Sequence, residues 1–211
     1  DTTKFGKQAS PFKIEKCSVK AYPAQALLQT AIVASAKIGS NIPDTSKIKS
    51  VVIATSRAGQ QYSADSKEKF APETAETADH SLPYIVAKTL IDREINSKSY
   101  TQEALHDPKL RSLLTKVTVE EDPELTKMYP ARIPNRVTVT MDDGRVFKEQ
   151  VEDLPGFGGK PITREDVEAK FRRNVRGIWP EKQTRDFLRL AWDLDKQNKL
   201  ADLLERMIVN S

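Results

Sequence analysis

Two short segments gather side chains that could receive an anion. Lys20-Ala21-Tyr22-Pro23 leads into a run of helical spacing, with Gln25 in its first turn. Asp79-His80-Ser81-Leu82-Pro83-Tyr84 stands at the mouth of the most apolar helical run in the chain. The first turn of a helix leaves backbone N–H groups without intrahelical acceptors, so such starts attract anions. A lysine beside one makes a carboxylate receptor; the plainer reading of Lys20 is a solvated side chain at a strand end. His80 has two readings as well, a ligand-facing imidazole or a bystander to simple capping by Asp79 or Ser81. If the two starts converge they form a site; either alone does not.

Other candidates fail on chemistry. The loop Pro155-Gly156-Phe157-Gly158-Gly159-Lys160-Pro161 suggests a phosphate cradle. A P-loop, however, requires Gly where Leu154 stands and Ser or Thr where Pro161 stands. The loop reads as a crossing between a strand and a capped helix. His106, before Asp107-Pro108, reads as a surface histidine. Two histidines and one cysteine, Cys17, supply neither a zinc site nor an iron–sulfur cluster nor an internal disulfide.

Strands and helices must position these groups. Phe12-Lys13-Ile14, running on toward Val19 and Tyr22, alternates as a half-buried strand does. Pro23 suits a first helical turn. Ala24, Leu27, Leu28, Ala31, Ile32, Ser35 and Ile38 follow at i, i+3, i+4 spacing, with Gly39 as the stop. Ile48 to Thr55 is β-branched and reads as a strand. Leu82 to Ile91 is a helix apolar on most sides. Asp107-Pro108 opens a short helix through Leu114, and Val117-Thr118-Val119 reads as a strand. Arg136 to Met141, then Asp142-Asp143-Gly144, then Arg145 to Val151 is a hairpin, because Asp-Gly supplies the positive φ of a tight turn. Thr163 with Asp166 forms a capping box, Pro180 breaks the next helix, and Leu200, Leu203, Leu204, Met207 and Ile208 define a last amphipathic helix.

These elements predict an α+β fold: an antiparallel sheet with helices packed beside it over residues 1–162, then a helical segment over 163–211. The final helices carry apolar faces (Phe187, Leu190, Trp192, Leu194, Leu203, Met207) with few local partners. They are expected to complete a helical domain formed with other residues, and the start at Asp1 instead of Met is read as a processed product or fragment.

The 211 residues carry 34 Lys and Arg against 30 Asp and Glu, a net charge of +4. The opposite signs are interspersed, and Lys170-Phe171-Arg172-Arg173-Asn174-Val175-Arg176 reads as a solvated helix face. So small an excess gives little counterion release, and nucleic acid is not an expected partner. No stretch reaches the length of a membrane span, and no membrane partner is expected.

The two junctions also carry a family resemblance. Val19-Lys20-Ala21-Tyr22-Pro23-Ala24-Gln25 resembles the K-x-[FY]-P-A segment of the MmgE/PrpD family. Asp79-His80-Ser81-Leu82-Pro83-Tyr84-Ile85-Val86-Ala87 is similar to its DHS-x-x-Y-x-V-A stretch. Glu121-Asp122-Pro123, the hairpin around Asp143-Gly144, and Pro161-Ile162-Thr163 through Lys170-Phe171 follow in order. The resemblance implies an α+β lid domain with terminal helices of an all-helical domain, and a homodimer. It implies a cofactor-independent hydro-lyase acting on a small polycarboxylate, with dehydration of 2-methylcitrate or a related acid by proton abstraction beside a carboxylate. Epimerisation, decarboxylation or a non-catalytic carboxylate-binding module are the alternatives. It assigns Lys20 to hold a substrate carboxylate, Tyr84 to donate a hydrogen bond to substrate or leaving group, and His80 to position groups or handle protons. Gln25 binds substrate but departs from the pattern, since His or Glu stands there in family members and an amide exchanges no proton at neutral pH. The remaining acid/base groups, an Asp and a His, would belong to an N-terminal helical portion, so the chain alone is expected to be inactive. The compartment implied is the cytoplasm, with the mitochondrial matrix as the alternative.

Overall fold

A computed structural model describes residues 17–157 and 160–209. The chain divides into two compact units, Asp1–Pro161 and Ile162–Ser211.

In the first unit, a 3-10 turn (Ala26–Leu28) runs into α1 (Gln29–Ser40). Strand β1 (Ile48–Thr55) follows, then α2 (Arg57–Ser63), α3 (Lys67–Phe70), α4 (Ala75–Asp79) and α5 (Leu82–Asp92). Next come α6 (Gln102–Leu105), α7 (Pro108–Leu114), β2 (Val117–Glu121), α8 (Pro123–Met128), β3 (Asn135–Met141) and β4 (Val146–Val151). The sheet order is β2-β1-β3-β4. β3 alternates buried and half-buried residues along its whole length, so only one of its faces is covered. The core is built from Ile32, Ile38, Ile53, Leu82, Ile85, Leu90, Val137 and Val139 among others, where α1 and α5 pack beside the sheet.

The α+β class holds, and the hairpin pairs β3 with β4 as its Asp-Gly turn predicts, with Gly144 at φ 86°. The sheet is not wholly antiparallel: β2 runs parallel to β1, with Val51 opposite Val117 and Thr55 opposite Glu121. A parallel neighbour requires a crossover. Here the crossover holds α2 through α7, helices that leave β2 no way to return as a hairpin.

Three local expectations are corrected. Residues 12–14 of the first expected strand lie outside the described residues, and its continuation through Val19 and Tyr22 is not a strand. The reason is Gln29, whose side-chain amide takes both backbone groups of Tyr22 that a neighbouring strand would have paired. Pro23 does not open the helix; it lies in a bend, and its carbonyl accepts the Tyr100 hydroxyl at 2.6 Å. Gly39 does not stop α1, which continues to Ser40. Its missing side chain serves packing, because a Cβ there would meet the Leu90 carbonyl oxygen of α5 at 2.8 Å.

The second unit contains α9 (Arg164–Val175), α10 (Glu181–Trp192) and α11 (Ala201–Glu205). Thr163 and Asp166 make both bonds of the capping box. The rings of Phe171 and Phe187 stack between α9 and α10, and Trp179 meets both edge-to-face. The last helix is shorter than its apolar pattern predicts, and Leu200, Leu204, Met207 and Ile208 are exposed. Among the described residues no helix is long and apolar enough to cross a membrane.

Candidate functional site

The segment from Lys20 to Gln25 owes its shape to a buried amide. Gln29 is fully buried on the apolar side of α1. Its Oε1 accepts the Tyr22 N–H at 3.0 Å, and its Nε2 donates to the carbonyls of Tyr22 at 3.0 Å and Ala24 at 3.1 Å. Thr30 and Asn135 extend the polar layer: Thr30 donates to the Ile133 carbonyl at 2.6 Å, while Asn135 Nδ2 donates to Thr30 Oγ1 and to the Leu27 carbonyl, both at 2.8 Å. Leaving a buried polar group unpaired is costly, so these bonds hold the layer in place. These pairings pin the start of α1 to the head of β3.

The second segment is the turn between α4 and α5. Ser81 caps α5, accepting the Tyr84 N–H at 3.1 Å, and its hydroxyl donates to the Lys69 carbonyl. The capping reading of Ser81 is therefore correct. Asp79 pairs with Nδ1 of His80, whose side chain is about half exposed. That pairing leaves Nε2 as the ring nitrogen available to a ligand.

The two segments meet. The Gln25 N–H donates to the Asp79 carbonyl at 2.9 Å, across a sequence separation that local patterning does not reveal. Ser63, the last residue of α2, donates its hydroxyl to Gln25 Oε1. Lys20 is exposed five residues upstream of this contact. Lys20, Gln25 and His80 thus lie on neighbouring segments: a cation and an amide that can donate hydrogen bonds, and an imidazole whose Nε2, with Nδ1–H on Asp79, can accept one.

Tyr84 is placed differently. Its side chain is fully buried, its hydroxyl donates to the Ser99 carbonyl, and its ring stacks on Tyr100 with centroids 6.3 Å apart. A phenol has one proton to donate, and here a backbone carbonyl takes it. Burial, followed by the nearby Asp92 charge, pushes the Tyr84 phenol far above its ordinary range. Burial does the same to Tyr100. Both rings therefore stay neutral and form the floor beneath the junction, with Tyr100 reaching from Tyr84 to the Pro23 carbonyl.

Sequence reasoning missed Ser63 and Tyr100 and gave Gln29 no structural role. A signal for Gln29 existed: it is a polar side chain on the same helical stripe as Ile32 and flanked by Leu28 and Ala31. Cavities lined by described residues also lie elsewhere, one of about 330 Å³ between Asp44–Ser46 and Pro108–Lys116. His106 is exposed, as expected, and pairs with Glu73 at 2.8 Å.

Residues 22–196 match the family model described as MmgE/PrpD C-terminal domain. The chain belongs to the MmgE/PrpD family. A 2-methylcitrate dehydratase of Cupriavidus necator is 27% identical over 199 residues, 90% of this chain and 41% of that protein. A 2-methylcitrate dehydratase of Salmonella typhimurium is 27% identical over 223 residues, 100% of this chain and 44% of that protein. A cis-aconitate decarboxylase of Mus musculus is 30% identical over 104 residues, 49% of this chain and 21% of that protein. The chain thus spans less than half the length of these MmgE/PrpD relatives.

Proposed function

We propose that this MmgE/PrpD chain supplies the carboxylate-receiving part of a lyase site for a small polycarboxylate, with dehydration of 2-methylcitrate or a related acid as the reaction. The observation that carries the reading is the Gln25 N–H bond to the Asp79 carbonyl, which brings the Lys20 and His80 segments together. Names of relatives at 27% to 30% identity support the class of chemistry. Lys20 is assigned to a substrate carboxylate, Gln25 Nε2 and His80 Nε2 to neighbouring oxygens, and Tyr84 to the floor that holds the His80 turn in place.

Proton abstraction beside a carboxylate places added negative charge on its oxygens. A Lys⁺ ~4 Å away at an effective dielectric of ~20 contributes on the order of 4 kcal/mol to a full added charge. Half of that, confined to the transition state, is more than tenfold in rate. Gln25 holds oxygen but moves no proton. Proton transfer then falls to His80 and to groups beyond this chain, in an N-terminal helical portion of the same protein.

The test is calorimetric titration of 2-methylcitrate into wild type and Lys20→Ala, with alkene absorbance followed for the whole protein. Expected are about tenfold weaker binding by the variant and a more than tenfold fall in kcat/KM. Wild-type affinity in Lys20→Ala removes Lys20 from the site. Gln25 itself favours a second reading, a carboxylate-binding module without turnover. Binding by the whole protein with no absorbance change would select that one.

A further inference from the structure

Ser63 closes α2 and is fully buried, so its hydroxyl needs a partner inside the protein. That partner is Oε1 of Gln25. The helix that carries Ser63 is held close to the sheet: a Cβ at Gly59 would lie 2.1 Å from Thr55 Oγ1, so only glycine lets α2 sit this near the end of β1. Ser56 caps the other end of α2, accepting the Gly59 N–H at 3.1 Å. Gln25 is itself anchored through its backbone to Asp79 and is half-buried. An amide has one accepting end and one donating end, and a buried donor on the accepting end decides which way the group faces.

We propose that Ser63 is a positioning residue that fixes the Gln25 side chain with its carbonyl inward and its NH₂ outward, beside Lys20 and His80. The junction then presents two donors to a ligand, the Lys20 ammonium and the Gln25 NH₂, and no amide acceptor, which at residue 25 selects for an oxygen that carries negative charge and lacks a proton. It disfavours the protonated acid, whose O–H would meet no acceptor at residue 25. This specificity role rests on the anion-receiving reading of the junction; the orientation of the amide does not.

Side-chain ¹⁵N–¹H spectra of the whole chain test it, with wild type, Ser63→Ala and Ser63→Cys. The wild-type Gln25 NH₂ pair is expected to be motionally ordered, yet to exchange with water within a few-fold of a free glutamine amide. Ser63→Ala should release that order, and Ser63→Cys, a weaker donor of similar shape, should fall between them. With citrate as the probe, the Gln25 NH₂ signals should shift in wild type, and Ser63→Ala should bind about tenfold more weakly. One Gln25 NH₂ proton protected more than tenfold in wild type and released in Ser63→Ala would overturn the proposal, since the amide would then face the other way. Unchanged order in Ser63→Ala would overturn it too. Citrate shifts at Lys20 and His80 without one at Gln25 would overturn the specificity role alone. Silence at all three would instead sink the anion-receiving reading, while exchange and order still decide the amide.

Discussion

Replacing Gln29 by Ala is the sharpest perturbation of the site that removes no side chain assigned to the ligand. The side chain makes three hydrogen bonds of 3.0 to 3.1 Å, two with Tyr22 and one with Ala24. At a net 0.5–1.5 kcal/mol each, their loss is about 3 kcal/mol. Against that, Ala recovers about 1–2 kcal/mol of glutamine side-chain entropy and a few tenths from helix propensity. The vacated volume in a fully buried position then adds back about 1–2 kcal/mol. The balance is a loss of about 3 kcal/mol, a large share of a typical domain's stability. Urea unfolding followed by far-UV circular dichroism reads the loss, and hydrogen exchange at the Tyr22 amide locates it. Gln29→Glu refines the argument: its carboxylate still accepts the Tyr22 N–H but turns an oxygen on the Tyr22 and Ala24 carbonyls. It should be destabilised at neutral pH and recover in acid as the carboxyl gains a proton. A Gln29→Ala loss below about 0.5 kcal/mol, with Tyr22 exchange unchanged, refutes the claim that this amide shapes the Lys20–Gln25 segment.

Tyr84→Phe leaves the buried Ser99 carbonyl without its donor and should cost about 1–2 kcal/mol in thermal unfolding, with citrate affinity unaltered; a large affinity loss would place the hydroxyl in the site after all. Gly39→Ala should destabilise by about 1–3 kcal/mol even though Ala is the better helix former, because its Cβ meets the Leu90 carbonyl oxygen at 2.8 Å; equal or greater stability would show that α1 and α5 separate freely. His106 should titrate above its ordinary 6.5 in an NMR pH series, since the Gln102 carbonyl and then Glu73 favour its charged ring. Its stabilising contribution is complete below 6.5 and lost as pH rises through the raised value. Glu73, lowered first by the His106 hydrogen bond, contributes above 4.5 and loses its contribution as pH falls through the lowered value. A measured His106 value at or below 6.5 would contradict the pairing.

Elements governed by neighbours in the chain were legible in advance. The β-branched run at 48–55, the Asp-Gly hairpin, the Asp107-Pro108 helix start and the Thr163 capping box all depend on contacts within a few residues. What stayed hidden depends on distant partners. Tyr22 alternates like a strand residue, but a side chain seven positions on satisfies its backbone. Gly39 looks like a helix stop because a close crossing and a terminus both call for glycine, and only the position of Leu90 tells them apart. The parallel placement of β2 follows from where the crossover helices pack, which periodicity does not encode. At the site, Lys20, Gln25 and His80 were each recognisable by type. Their proximity comes from one long-range backbone bond, and the inward turn of Tyr84 from a carbonyl fifteen residues away.

The parallel pairing of β1 and β2 has a consequence for the nascent protein. The excursion between those strands carries Ser63, Asp79, His80 and Tyr84, and its far end is stapled beside its near end. A ribosome that has not yet made Val117 to Glu121 has produced every donor at the junction, but not the strand that holds the far end of the excursion against β1. β2 supplies none of the donors at the junction, so substitutions in it are expected to reach Ser63 and His80 only through α2 and α5, which pack against this strand.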